Sequence, residues 1–323
     1  MRDAAARTRS GLGTPVPASG DDPRVRVDLA HLRGLEGRAA AIRFLPRQPA
    51  RSVLNGRHAS RLRGRGLDFE ELRGYLPGDD VRSIDWKVTA RTGAPHVRVY
   101  TEERDRPALI VADQRMSMFF GTIYNMKSVT AAEVAALAAF RILDQGDRVG
   151  GIVFGDDIIA EFRPERTRRA VNQFIAALAE ANGRLHADAP VTAALPLNRV
   201  LKSVARIARR DHMVLILSDF DGIDAQTETL LGGLARHNDV LLGLVTDPSA
   251  QGLDPNLRMV VSDGLLQAEI DTGSGQVRKA LGEASTGRLA RILDWQTRLG
   301  VPVLPLSAGE ATVPQLRRLM GLG

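Results

Sequence analysis

The sequence predicts an α/β protein with a doubly wound, mostly parallel sheet and a small N-terminal β-rich domain before it. Short apolar strands alternate with helical segments from Pro107 onward, as expected of a parallel sheet with helices on both faces. Met213–Ser218 is an unbroken apolar run, typical of a strand that is buried on both faces. Residues 51–106 are polar, rich in alternating charge and interrupted by glycine, which marks them as a separate block.

The elements after Pro107 follow one another in a regular order. Leu109–Ala112 predicts a strand, and Lys127–Leu143 predicts a helix because its apolar residues recur at helical spacing. Arg148–Phe154 and Ile158–Phe162 predict a strand and its hairpin partner. Further predicted helices span Arg168–Ala181, Leu197–Arg209, Asp224–His237 and Gly287–Leu299, and further predicted strands span Met213–Ser218, Val240–Val245 and Val301–Leu306.

The distribution of residue types along the chain predicts four segments. Residues 1–22 contain Gly, Pro, Ser, Thr and Asp without an apolar period and predict a disordered tail. Residues 23–106 form the small charged domain, in which Leu29–Ile42 predicts a short helix. Residues 107–306 form the sheet domain, and residues 307–323 predict a C-terminal helix.

Composition narrows the classes of protein to consider. The chain has no cysteine, which removes disulfides, thiolate metal sites and cysteine nucleophiles together. No window approaches the roughly 18 apolar residues of a membrane span. The N-terminal segment lacks the apolar core of a signal peptide. We therefore expect a cytoplasmic protein that does not insert into a membrane.

Two predicted apolar strands end in aspartate, at Asp113 and at Asp219. Ligands of open α/β sheets sit beyond the carboxyl ends of the strands, so these are the positions at which to look for a site. Ser117 and Thr192 add hydroxyl groups in nearby loops. Two carboxylates, two hydroxyls and water form an all-oxygen shell that suits Mg²⁺. The alternative for each aspartate is a helix or turn cap that binds nothing.

The order Asp113, Ser117, Thr192, Asp219 resembles the metal-ion-dependent adhesion site of the von Willebrand factor A module, a Rossmann-type fold. That site begins Asp-x-Ser-x-Ser, and the resemblance implies that these four residues ligate Mg²⁺, Asp219 directly or through water. Arg115 stands where the module has a serine ligand, and a guanidinium has no lone pair to offer a metal. Arg115 either points away from a weakened site, or pairs with Asp113 and Asp219 as a tethered cation that replaces the ion, or the alignment is wrong.

A second motif lies in the charged block. It reads Arg-Gly-Tyr-Leu-Pro-Gly-Asp-Asp-Val-Arg-Ser-Ile-Asp-Trp-Lys-Val-Thr-Ala-Arg and resembles the signature of the prokaryotic domain-of-unknown-function 58 family. The matching residues are Arg73, Tyr75, Pro77, Gly78, Asp79, Asp80, Arg82, Asp85, Trp86 and Arg91. Members couple this block to a von Willebrand A-like domain, and their genes commonly accompany a MoxR-type AAA+ ATPase. The resemblance implies an adaptor or co-chaperone of such an ATPase and its client proteins, with these residues as a partner surface.

These observations lead us to expect a non-enzymatic protein-binding module whose crevice binds a partner carboxylate, through Mg²⁺ or through Arg115. The first alternative is a Mg²⁺-dependent hydrolase in which Asp113 and Asp219 activate a metal-bound water. The second is a nucleic-acid-binding protein that uses Arg51–Arg65, although this segment has no aromatic residue for stacking. For the charged block, the alternative to a partner surface is a salt-bridge network that only joins the two domains.

Overall fold

The structure, a computed structural model, describes residues 22–42, 67–102, 107–156, 158–186, 194–251, 258–262, 267–271 and 275–320. Its strands are β1 (Leu67–Gly74), β2 (His96–Glu102), β3 (Ala108–Asp113), β4 (Val149–Phe154), β5 (Ile158–Glu165), β6 (Met213–Ser218), β7 (Asp239–Thr246), β8 (Arg258–Ser262), β9 (Gln267–Asp271) and β10 (Val303–Ser307). Its helices are α1 (Leu29–Gly34), α2 (Glu36–Ala39), α3 (Trp86–Thr92), α4 (Lys127–Asp144), α5 (Arg168–Gly183), α6 (Leu197–Ile207), α7 (Ala225–Ala235), α8 (Gly275–Arg298) and α9 (Thr312–Leu319).

A six-stranded sheet in the order β10-β7-β6-β3-β4-β5 forms the centre of the protein. All neighbouring strands are parallel except β5, which runs antiparallel to β4. From β3 the chain adds β4 and β5 on one side and then crosses back to add β6, β7 and β10 on the other. The strand order therefore reverses at β3, and the predicted doubly wound, mostly parallel sheet is confirmed.

Apolar layers cover both faces of this sheet. Successive residues of a strand point to opposite faces, so Ile110 packs in one cluster while Leu109 and Val111 pack in the other. The first layer is supplied by α1, α2, α4 and α5, and the second by α6, α7 and the end of α8, with Ile292 and Trp295. Because both faces are covered, β3 and β6 are buried along their whole length.

Residues 22–42 belong to the core of the sheet domain. Leu32 and Ile42 are fully buried against the apolar face of α4 and α5, and Val27 is nearly so. The backbone N–H of Val27 also donates to Oδ1 of Asn182, at the end of α5, over 2.7 Å. The sequence predicts residues 23–42 as part of the small charged domain, whereas their apolar side chains complete the core beneath the sheet.

Glu133, in α4, connects segments from both ends of the described chain. One of its carboxylate oxygens lies 2.7 Å from Nε2 of His31 in α1. The other accepts hydrogen bonds from the side-chain amide of Asn125, at 3.3 Å, and from the hydroxyl of Thr312 at the start of α9. The hydrogen bond to Glu133 raises the pKa of His31 above its ordinary value, which favours the charged imidazolium in the folded protein.

Smaller elements lie outside the main sheet. β1 and β2 pair antiparallel with α3 between them, which gives the predicted small β-containing unit. β8 and β9 form another antiparallel pair that the sequence reading missed, and α8 begins earlier than the predicted Gly287. Residues 1–21 of the predicted tail and the segment Arg51–Arg65 lie outside the described residues. None of the helices that the structure describes combines the length and apolar character needed to cross a membrane.

Candidate functional site

The candidate site lies where β3 and β6 end side by side. Asp113 is the last residue of β3 and Asp219 directly follows β6, and the two strands are neighbours in parallel register. Both aspartates are buried, Asp113 completely. Phe220, which directly follows Asp219, has a φ of 54°, in the left-handed region that residues other than glycine rarely adopt. Its backbone N–H donates to Oγ of Ser218 over 2.8 Å, which holds this turn around the end of β6.

Arg115 lies across the crevice and is paired with Asp113. Its Nε lies 3.1 Å from each carboxylate oxygen of Asp113, its Nη2 lies 2.8 Å from Oδ2, and its backbone N–H donates to Oδ1 over 2.9 Å. The same Nη2 is 3.8 Å from Oδ1 of Asp219. Only 4% of Arg115 is exposed, so this is a buried charge pair and not a surface one. Of the arrangements left open by the sequence, the contacts match the one in which Arg115 pairs with Asp113 and lies close to Asp219.

The guanidinium of Arg115 also contacts three other segments. Its Nη1 donates to the carbonyl oxygen of Leu195, before α6, at 3.4 Å, and to that of Asp221, after β6, at 3.3 Å. The ring of Phe154, at the end of β4, lies 5.7 Å from the guanidinium carbon, within range of a cation–π interaction. One side chain therefore joins the ends of β3 and β4, the loop after β6 and the loop before α6.

Lys127 supplies a second, partly buried cation, which is not among the site residues predicted from the sequence. Its Nζ donates to Oδ2 of Asp219 over 2.7 Å and lies 5.9 Å from the ring centre of Phe120. Lys127 is the first residue of α4, where a positive charge opposes the helix dipole. An unfavourable lysine at a helix start, in a chain with only four lysines, is a sequence signal that a carboxylate lies nearby.

The hydroxyl residues behave differently from one another. Oγ of Ser218 donates to Oδ2 of Asp113 over 2.6 Å, a contact that the sequence reading did not assign. Oγ of Ser117 is buried and has no hydrogen-bond partner among the described residues. Thr192 lies outside the described residues. Of the predicted ligands, the structure thus brings Asp113 and Asp219 together and leaves Ser117 outside their network.

Burial and neighbouring charge act against each other on the ionisable groups of this site. Burial raises the pKa of Asp113 above its ordinary value, although the charge and hydrogen bonds of Arg115 act the other way. Burial also opposes ionisation of Asp219, but the charge and hydrogen bond of Lys127, the charge of Arg115 and the backbone hydrogen bond from Asp221 together outweigh it, and the pKa of Asp219 is lowered. Burial alone would lower the pKa of Arg115, but Asp113 and Asp219 raise it. Asp219 is therefore the carboxylate that keeps its charge to the lower pH.

The residues present do not fit a divalent metal ion. Both oxygens of Asp113 accept hydrogen bonds from Arg115, and Oδ2 of Asp219 accepts one from Lys127. The two cations balance the two carboxylates, so a divalent ion would meet repulsion without an uncommitted carboxylate to bind it. Within the part of the chain that the structure describes, no three His, Asp or Glu side chains gather as a metal-binding group.

The signature block between β1 and β2 is organised mainly by its carboxylates. Asp79 accepts hydrogen bonds from both terminal nitrogens of Arg73, at 2.7 and 2.8 Å. Asp80 caps a short 3-10 turn, and Asp85 caps α3 by accepting from two backbone N–H groups over 3.0 and 3.2 Å. Gly78 follows Pro77 in a turn and has a φ of 104°, which favours glycine. Tyr75 is half-buried beside this turn.

Trp86 lies at the surface of the signature block. It is the first residue of α3 and is 67% exposed, and Val81 and Leu76 nearby in the chain are 57% and 55% exposed. Arg82, Lys87 and Arg91 are exposed in the same stretch, and no ion pair joins their side chains to other described residues. The block therefore presents apolar and basic side chains to solvent.

The fold and the site define a class of protein: a doubly wound α/β domain whose carboxyl-end crevice holds buried ion pairs, joined in sequence to a small charged β unit. The chain belongs to the family described as Protein of unknown function DUF58, whose sequence profile matches residues 71–291. It is similar to Uncharacterized protein Mb1516 of Mycobacterium bovis and Uncharacterized protein Rv1480 of Mycobacterium tuberculosis. Each is 34% identical over 248 residues, which cover 75% of this chain and 73% of the relative. The family resemblance predicted from the signature block is confirmed.

Proposed function

We propose that this protein is a non-enzymatic protein-binding module that acts as an adaptor or co-chaperone of a MoxR-type AAA+ ATPase. The observation that carries the proposal is the exposure of Trp86, at 67%, inside the family signature. Tryptophan buries a large apolar area and is enriched among the residues that dominate protein interfaces. The class of the partner rests on the family resemblance, and the location of the binding surface rests on the exposed side chains.

The exposed side chains are held by ordered structure. The carboxylate of Asp85 caps α3, which fixes the backbone of Trp86 as the first helical residue. Val81 begins the 3-10 turn that Asp80 caps, and Leu76 donates its backbone N–H to Asp79 over 2.8 Å. Because the backbone is fixed at each position, a partner does not have to order this segment on binding, which favours affinity.

Charge indicates what kind of surface fits this block. Arg82, Lys87 and Arg91 are exposed basic residues close in sequence to Trp86, whereas Asp85 is turned inward as a cap. A complementary partner therefore presents an apolar pocket for the indole with acidic residues at its rim. Rim charges of this type mainly raise the association rate, and their effect weakens as the salt concentration increases.

The crevice at β3 and β6 is less suited to binding than the sequence suggested. Arg115 and Lys127 are already paired with Asp113 and Asp219, so neither cation is left over for a partner carboxylate. The same pairing leaves no uncommitted aspartate to activate a water molecule, which supports a role that does not involve hydrolysis. We therefore assign partner binding to the signature block and a structural role to the crevice.

The test is co-purification of the tagged protein with the MoxR-type ATPase of the same organism, followed by titration calorimetry with the purified proteins. Trp86→Ser is expected to weaken binding by about 30-fold or more, as for other interface hot spots. Ile123→Ser is the matched control, because Ile123 is 69% exposed on a different segment, and it is expected to bind like the wild type. Equal binding by both variants would move the interface away from the signature block, and absence of any complex with the wild type would refute the ATPase partnership.

A further inference from the structure

We infer that Arg115 is a tethered cation that fills the position of a metal ion, so that the crevice is complete without any bound ion. The same assignment implies that a metal site appears once the guanidinium is removed. Replacing Arg115 with serine would open a cavity lined by oxygen atoms that binds Mg²⁺ or Mn²⁺. This role of Arg115 is independent of the proposed docking surface on the signature block.

The first observation is the nature of the atoms around the guanidinium. Its hydrogen-bond acceptors are both carboxylate oxygens of Asp113 and the carbonyl oxygens of Leu195 and Asp221, with Oδ1 of Asp219 at 3.8 Å. All of these are oxygen atoms, and carboxylate and carbonyl oxygens are the ligands that hard cations such as Mg²⁺ prefer. Arg115 thus lies in a cage of the type that otherwise surrounds a metal ion.

The second observation is the charge balance of the crevice. Asp113 and Asp219 bring two negative charges, and Arg115 and Lys127 bring two positive charges. Removing the charge of Arg115 leaves a net negative charge in a buried space, a state that is costly unless another cation enters or a carboxylate takes up a proton. In the wild-type crevice the two positive charges balance the two negative charges, so there is no electrostatic reason to take up an ion.

The third observation is a set of oxygen atoms that are not bound to a cation through hydrogen bonds. Oδ1 of Asp219 accepts a hydrogen bond only from the backbone N–H of Asp221, at 3.1 Å, among the described residues. Oγ of Ser117 is buried and has no partner among them. An Arg115→Ser variant would add a hydroxyl two residues from Asp113 and remove the guanidinium hydrogen bonds to both oxygens of that carboxylate. The backbone N–H at position 115 would still donate to Oδ1 and the hydroxyl of Ser218 to Oδ2. The sequence would then read Asp-x-Ser-x-Ser at the end of β3.

The experiment compares wild type, Arg115→Ser and Arg184→Ser by titration calorimetry with Mg²⁺ and Mn²⁺ and by thermal unfolding in EDTA or in millimolar Mg²⁺. Arg184, which directly follows α5, is a matched control because its exposed side chain pairs with Glu180 and its removal leaves the crevice intact. Wild type and Arg184→Ser are expected to bind neither ion and to unfold at the same temperature in EDTA and Mg²⁺. Arg115→Ser is expected to unfold at a lower temperature in EDTA, to bind either ion, and to gain several degrees in Mg²⁺ through ligand-linked stabilisation.

Two results would overturn the assignment. One is saturable binding of Mg²⁺ or Mn²⁺ by the wild type that is lost in Asp113→Asn, since the ion would then coexist with Arg115. The other is an Arg115→Ser variant that folds but binds neither ion. If Arg115→Ser does not fold in EDTA, refolding is repeated in millimolar Mg²⁺: recovery of the folded state supports a metal site that appears on removal of the guanidinium, and failure in both conditions counts against it.

Discussion

The ion pair between Lys127 and Asp219 offers a sharp test of how the crevice is stabilised. Lys127→Met keeps most of the volume of the side chain and removes its charge, which leaves the carboxylate of Asp219 buried with the guanidinium of Arg115 at 3.8 Å. Removing one member of a buried pair costs about 3–5 kcal/mol. The partial compensation by Arg115 and the slight exposure of Lys127 place the expected loss at the lower end, about 3 kcal/mol.

The pH dependence of this loss follows from the difference between the pKa of Asp219 in the wild type and its pKa in the Lys127→Met variant. In the wild type Lys127 holds the pKa below its ordinary value, so the pair contributes stability at neutral pH and loses it as the pH falls through the folded-state pKa. Without Lys127, burial raises the pKa of Asp219, and the variant gains stability relative to wild type as the carboxyl group is protonated. The difference between the two proteins is therefore largest near neutral pH and shrinks in acid.

The assay is urea unfolding followed by circular dichroism, at about pH 7 and at about pH 3.5, which lies below the ordinary pKa of an aspartate and inside the range over which the difference shrinks. Lys202→Met serves as the control, because Lys202 is exposed on α6, and it is expected to change the free energy of unfolding by less than about 0.5 kcal/mol. Lys127→Met/Asp219→Asn is expected to recover part of the loss, since it removes both charges together. A loss below about 1 kcal/mol, or one that is equal at both pH values, would refute the buried-pair reasoning.

Three further predictions concern the core and the N-terminal helices. His31→Gln is expected to destabilise the protein most at pH values below the ordinary pKa of histidine, and less as the pH rises through the raised pKa of His31, because the pairing with Glu133 needs the charged imidazolium. Gly151→Ala is expected to cost about 1–3 kcal/mol, because a Cβ there would lie 2.3 Å from Cε2 of the buried Phe174. Leu32→Ala is expected to cost about 2–5 kcal/mol, because Leu32 is fully buried in the core of the sheet domain. All three are measured by urea unfolding, the first as a function of pH.

Each of these predictions has its own contradicting result. A His31→Gln effect that stays constant from acid to alkaline pH would mean that the charge of His31 is not involved. A Gly151→Ala protein as stable as wild type would show that the Phe174 ring can move aside. Leu32→Ala should be compared with Leu76→Ala, whose side chain is 55% exposed. If both variants lower the free energy of unfolding by the same small amount, α1 does not pack against the core as described.

The sequence predicted the main sheet well because its strands are continuous apolar runs between recognisable helices. The elements from β3 to β7 lie within a few residues of their predicted bounds. The hairpin of β8 and β9 and the first half of α8 were missed, because residues 272–275, Thr-Gly-Ser-Gly, read as a turn and the apolar period on either side is weak. Residues 22–42 were assigned to the wrong neighbour, because an amphipathic helix shows which face is apolar but not which surface it meets.

The site was predicted in part. Asp113 and Asp219 are recognisable because they end apolar strands that neighbour each other in the sheet. The position of Arg115 was only one of several open outcomes, since it depends on acceptors such as the carbonyl oxygens of Leu195 and Asp221, which sequence patterns do not locate. Lys127 was overlooked because a single lysine at the start of a helix attracts notice only when the helix dipole is considered.

The contacts of Glu133 make the two ends of the described chain depend on each other. Because His31 and Thr312 bind opposite oxygens of one carboxylate, a truncation that removes α9 also takes away a partner of the residue that holds α1. Shortened versions of this protein should therefore keep residues 22–42 and 312–319 together. A domain boundary drawn from sequence at Pro107 would cut the protein through its own core.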